Sequence, residues 1–132
     1  MIRNDVHDRQ RTTDLGLVKI NNEAISAIAY TAATQIKGVA RLGGGLGRTI
    51  CEKILRRSSS RGVRIKLNNG EIRISVSIIV EYGIDIPRIA DEVQENVKHA
   101  VEKMTGLVLS EVDVIVEGVN QPVVDKHVRR AA

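Results

Sequence analysis

The spacing of apolar positions switches along this chain between every second residue and every third or fourth, and the switches mark its elements. Leu17-Val18-Lys19-Ile20 reads as a short strand. Asn21 or Asn22 then offers a helix N-cap, and Ala24, Ile25, Ile28, Ala29, Ala32, Ala33 and Ile36 recur at helical spacing until Gly38 ends the run. A short strand follows over Val39–Leu42, and residues 47–57 form a second, smaller helix with Ile50, Ile54 and Leu55 on one side. Val63, Ile65 and Leu67 alternate with Arg64 and Lys66, Asn68-Asn69-Gly70 supplies a tight turn, and Ile72, Ile74, Val76, Ile78 and Val80 alternate back. Gly83 stops that strand and Asp85 caps a long helix whose stripe is Ile86, Ile89, Ala90, Val93, Val97, Ala100, Val101 and Met104, ending at Gly106. A last strand sets Val112, Val114 and Val116 against Glu111, Asp113 and Glu117.

Two long helices with one apolar stripe each, and strands with one apolar face each, predict an α/β fold. The expected form is a two-layer sandwich: a small mixed sheet with two long helices on one face and a short extra helix. Residues 1–14 are polar and aperiodic and read as a disordered N-terminal arm. A single domain spans 15–119, with a glycine-rich basic insertion at 43–61, and residues 120–132 read as a flexible C-terminal tail.

Composition narrows the core. The chain has no Phe and no Trp, and its aromatics are Tyr30 and Tyr82, so the interior is built from Ile, Val, Leu and Ala. A single cysteine, Cys51, rules out an internal disulfide and a cysteine-based zinc site. The N-terminal stretch MIRNDVHDRQRTTD lacks the apolar region of a secretory signal, and no apolar run approaches the length of a membrane span. A cytoplasmic location is expected, membrane-proximal through a partner rather than through a span of its own.

Charge is uneven. Of the formal net charge of +4, residues 41–66 hold eight Lys and Arg against Glu52 alone, while the part after residue 66 is net acidic. A basic middle joined to an acidic C-terminal half implies an anionic partner for one face, or self-association between unlike faces.

The stretch VARLGGGLGRTICEKILRRSSSRG concentrates the candidate chemistry. A phosphate-binding Walker loop fails there, because Leu42 stands where the first glycine is required and Arg48 replaces the lysine. The dinucleotide fingerprint fails as well, with Arg48 where a small residue must pack. Gly44-Gly45-Leu46-Gly47 followed by Ile50 fits the G-x-x-G-x-x-I pattern of KH domains, whose loop lies between two helices and clamps a nucleic-acid backbone. On that reading Gly44, Gly47, Arg48, Lys53, Arg56, Arg57 and Arg61 make the contacts to an anionic partner, RNA or single-stranded DNA. The preceding helix is longer than a KH core permits, and a strand is added after the last helix. Residues 47–57 also have the amphipathic pattern of an interfacial helix, each basic residue there contributing about 1 kcal/mol at an anionic bilayer. They lack a Trp or Phe anchor, and docking of Ile50, Ile54 and Leu55 on the protein's own sheet is the simpler reading. His7, His99 and His127 stand in no pattern with a serine or with Cys51 that a nucleophile needs. No catalytic residue, cofactor or metal site is assigned, and the chain is not expected to be an enzyme.

Taken in order, Leu15-Gly16-Leu17-Val18-Lys19-Ile20, Ile36-Lys37-Gly38-Val39 and Arg61-Gly62-Val63-Arg64-Ile65 form a recognisable N-terminal half. They are followed by Val80-Glu81-Tyr82-Gly83, a helix carrying Val93-Gln94 and Val97, then Met104-Thr105-Gly106-Leu107 and alternating valines before Gly118-Val119. This succession resembles the alkaline shock protein family of Gram-positive bacteria, over residues 15–119. It departs in a more basic middle segment and in Asp113, where asparagine is common. The resemblance implies a non-enzymatic, cytoplasmic domain of stress response and cell-envelope homeostasis that acts through protein contacts or self-association. The partner it implies is a protein, membrane-anchored or a second copy of the chain, with nucleic acid ranked behind.

Overall fold

Ile72, Ile74, Val76, Ile78 and Val80 are each exposed by 1% or less, and their period of two places them on one face of a central strand, β5 (Glu71–Glu81). The structure, a computed structural model, describes residues 10–44 and 62–122. In it β5 is paired along both sides. On one side β3 (Val39–Leu42) and β4 (Val63–Asn68) run antiparallel to it and end to end: β3 pairs with residues 78–80, and β4 from Val76 down to Glu71. On the other side β6 (Leu109–Asn120) runs parallel to β5. Asn69 and Gly70, both at positive φ, make the two-residue turn that closes the β4–β5 hairpin in this register.

Helix α1 (Asn22–Thr34) packs over β3 and β4, helix α2 (Ile86–Thr105) packs over β6, and the two helices pack on one another. One core joins them to the buried face of β5, through Ile25, Ala29 and Ala33 of α1 and Ile89, Val93, Val97 and Val101 of α2. The result is the expected two-layer α/β sandwich with a mixed sheet and both long helices on one face. The short helix expected at 47–57 lies outside the described residues.

The structure departs from the sequence reading in places. Gln10–Thr13, placed in an aperiodic arm, form strand β1, which pairs antiparallel with β2 (Gly16–Lys19). β2 matches the short strand expected over residues 17–20, but the ribbon has no face on the core, so Leu15, Leu17 and Val18 stay exposed and no apolar alternation announces β1. Helix α1 ends at Thr34 rather than running to Gly38, and Ser26 is buried in place of Ala24. Met104 is 69% exposed, because the chain reverses at Gly106 and Leu107 fills that end of the core.

Polar side chains of α2 fix where β6 begins. The Asp85 carboxylate accepts the Arg88 amide at the helix start, and the Gln94 side-chain amide donates to the Val112 carbonyl at 2.9 Å. Glu102 Oε2 accepts both Lys98 Nζ and the Leu109 backbone amide, each at 2.8 Å. The Lys98 hydrogen bond, then that of the Leu109 amide, favour the charged carboxylate and hold Glu102 below its ordinary value of 4.5. A carboxylate whose pKa is lowered by folding stabilises the fold above the unfolded value and ceases to do so as pH falls through the folded value. Urea midpoints followed downward through that window should fall more steeply for the wild type than for Glu102→Gln, which should start lower and vary less.

Candidate interaction surface

With both helices on one face of the sheet, the alternate residues of β4, β5 and β6 form a face that is uncovered among the described residues. Cross-strand register arranges them in rows. Arg64 of β4 lies beside Ser75 of β5, which lies beside Asp113 of β6. One step along, Lys66 lies beside Arg73, and Arg73 beside Glu111. In the opposite direction Ser77 is flanked by Ile115 on β6, and the Ser77 amide donates to the Gly62 carbonyl at 2.8 Å. The face is therefore basic along β4, small and hydroxylated at the centre, and acidic along β6.

Arg73 is the bridge between the halves. Its Nη2 lies 2.6 Å from Glu111 Oε1, and its Nε lies 4.0 Å from Asp113 Oδ2. These groups are about half exposed, and exposed pairs of this kind contribute about 0.2–1 kcal/mol. A fully buried Ile or Val side chain contributes about 1.5–3 kcal/mol. The charge pattern is thus not what holds the sheet together.

The glycine-rich stretch leaves the sheet at Ser77. Its carbonyl accepts the Gly43 amide at 2.8 Å, and its own amide donates to Gly62, so β3 ends and β4 begins on the same residue of β5. A Cβ on Gly62 would meet Leu42 Cβ at 2.9 Å and the Gly43 carbonyl at 3.0 Å, and Gly62 also has φ +86. Glu117 locks the arrangement from the far strand. The pairing of β5 with β6 slips between Ile78 and Ile79, so that Glu117 is an extra residue opposite no partner. Its Oε1 reaches back across the sheet to accept the Gly44 amide at 2.9 Å. A cleft of about 400 Å³ lies here over Ser75 and Ser77, walled by Gly62, Arg64 and Lys66 on one side and by Ile115 and Glu117 on the other.

Of the residues the sequence singled out for an anionic partner, Gly44 alone is described; Gly47, Arg48, Lys53, Arg56, Arg57 and Arg61 lie outside the described residues, as does Cys51. Gly44 follows strand β3, not α1, and its amide is held by a carboxylate. The helix that should run directly into a KH-type Gly-x-x-Gly loop is thus separated from it by a strand. His99 is exposed on α2, bordering a shallow groove with Glu92, Glu95 and Asn96. Among the described residues, no group of three or more His, Cys, Asp or Glu side chains is placed to hold a metal ion. The sequence reading missed Arg73 and Glu117. Alternation placed Arg73 on the outer face, but its partners depend on the β5–β6 register, and the bulge that aims Glu117 has no signature in residue spacing.

The profile of the alkaline shock protein 23 family, of cell envelope-related function, matches residues 10–121. YqhY of Bacillus subtilis (strain 168) is 34% identical over 107 residues, which span 81% of this chain and 79% of YqhY. YloU of the same strain is 32% identical over 109 residues, 81% of this chain and 91% of YloU. A stress response regulator gls24 homolog of Streptococcus pyogenes serotype M3 is 26% identical over 100 residues, 75% of this chain and 56% of its own length.

The glycine pair at Ser77 makes a specific demand. Gly62→Val should destabilise the protein by about 1–3 kcal/mol in urea unfolding, from strain at positive φ and the contact with Leu42. Gly70→Val, with nothing within 4 Å of the added Cβ, should show the backbone part of that cost alone.

Proposed function

The chain belongs to the alkaline shock protein family, and from that premise we propose a non-catalytic role in stress response and cell-envelope homeostasis, exerted through protein contacts, among them contacts with copies of itself. The observation that carries this reading is the uncovered sheet face, with basic Arg64 and Lys66 on one side and acidic Glu111 and Asp113 on the other. A two-layer fold leaves one sheet face without a covering layer. The ion pairs on this one add little to stability. Such a face is available to bind, and opposite charge stripes select a partner by register and orientation.

The stress part of the reading is supported by likeness to the gls24 homolog, and the envelope part by the family itself. Action takes place in the cytoplasm, beside a membrane-anchored protein partner; among the described residues no helix is long and apolar enough to cross a membrane. The hydroxyls of Ser75 and Ser77 are flanked in their rows by Arg64, Asp113 and Ile115, and among the described residues no histidine lines their cleft.

Complementation tests the reading. In a Gram-positive host deleted for the family gene, this chain should restore tolerance of alkaline and cell-wall stress. The triple variant Ser75→Ala, Ser77→Ala, His99→Ala should restore it equally, whereas Arg64→Glu with Lys66→Glu, at matched abundance, should not. The reverse pattern, with the serine and histidine variant inactive and the charge-reversed one active, would contradict a role through contact.

A further inference from the structure

We propose that the uncovered face of the sheet binds a second copy of this chain, about a two-fold axis that runs parallel to β5. The inference rests on the reading of the protein as one that works by contact, and it names the contact. Each row across the face has ends of opposite kind. Arg64 and Asp113 flank Ser75, Lys66 and Glu111 flank Arg73, and Gly62 and Ile115 flank Ser77. Two sheets stacked about 10 Å apart with strands nearly aligned are a common packing mode. A two-fold axis along the central strand exchanges the ends of every row. Arg64 then lies over Asp113 of the second copy, Lys66 over its Glu111, and Ile115 over its Gly62.

The third row supplies shape as the others supply charge. Ile115 is 47% exposed on a face that is otherwise mostly polar, and Gly62 forms part of the wall of the cleft over Ser75 and Ser77. A side chain projecting from one copy meets the position where the other has none, and the symmetry repeats the contact. Arg73, on the axis, faces Arg73 of the second copy, and each is neutralised by the Glu111 that it holds on its own sheet at 2.6 Å. The same contact, made twice with residue i on j and j on i, is what a closed dimer requires.

Two other arrangements of two copies lack this match. An axis in the sheet plane but perpendicular to the strands sets β4 over β4 and β6 over β6, basic on basic and acidic on acidic. Antiparallel pairing of the free β6 edges centred on Ile115 sets Asp113 opposite Glu117 of the second copy, and like charges directly opposite destabilise a strand pair. The acids of β6 thus protect that edge while equipping the face.

Sedimentation velocity across a concentration series, with two charge-reversed double variants, tests the proposal. The wild type should dimerise, more weakly as salt is raised. Arg64→Glu with Lys66→Glu, and separately Glu111→Lys with Asp113→Lys, should each weaken the dimer by about tenfold or more. Mixed together the two variants should form a heterodimer, visible by native mass spectrometry, because each then meets the opposite charge. Ile115→Arg, on an exposed position that leaves the monomer's core intact, should also be monomeric. Overturning outcomes are a wild type that stays monomeric because residues 45–61 or another protein occupy the face, a dimer indifferent to all three variants, or charge-reversed variants that do not pair when mixed. A monomeric wild type that still complements the deletion, while the Arg64 and Lys66 variant does not, would remove this inference and leave the proposed function standing.

Discussion

Burial of Ile72, Ile74, Val76, Ile78 and Val80 against the two helices decides which residues of every neighbouring strand face outward. A strand has a period of two, so a slip of one residue would exchange its faces entirely. With about 1.5–3 kcal/mol for each of these side chains, no set of exposed ion pairs competes with that choice. The outward set, Arg73, Ser75, Ser77 and Ile79, is what the core leaves over. Its neighbours Arg64, Lys66, Glu111 and Asp113 then fall into register beside it.

Irregularities in the pairing add what strict alternation cannot. The extra residue at Glu117 turns a carboxylate towards the Gly44 amide, and the break at Ser77 lets the chain leave one edge of the sheet and rejoin it without disturbing β5. A long insertion is accommodated because its two ends meet at a single residue of the central strand. The entropy of closing such a loop grows only slowly with its length. This explains how a glycine-rich basic stretch can sit inside an otherwise regular sandwich.

Much of this was legible in residue order. The alternation of Val63, Ile65 and Leu67 with Arg64 and Lys66, the Asn69-Gly70 turn, the Asp85 cap and the stripe through Val93, Val97 and Val101 are local signals, and each element stands where they place it. The ribbon of Gln10–Thr13 and Gly16–Lys19 was not fully legible, because it buries no side chain against the core and so leaves no apolar period on β1. The importance of Glu117 and Arg73 was hidden for another reason. Both depend on the parallel register of β5 and β6, strands separated in the chain by a twenty-residue helix and paired with two slips. The glycine run drew attention to itself as a binding motif, yet its described glycines are tied to the sheet, the Gly43 amide on the Ser77 carbonyl and the Gly44 amide on Glu117.

In this member of the alkaline shock protein family, the proposed site of action is a sheet face rather than a pocket. Charge that contributes little to folding is arranged by register into opposed stripes, with small serines between them and Ile115 as an exposed apolar side chain on β6. The most direct measurement of that claim is the concentration dependence of methyl and amide NMR shifts in the intact chain. The Ile115 and Ile79 methyls and the Ser75 and Ser77 amides should move together as concentration rises, while Met104 and His99 on α2 stay fixed. Shifts confined to α2, or none on the sheet face at any concentration, would contradict the account.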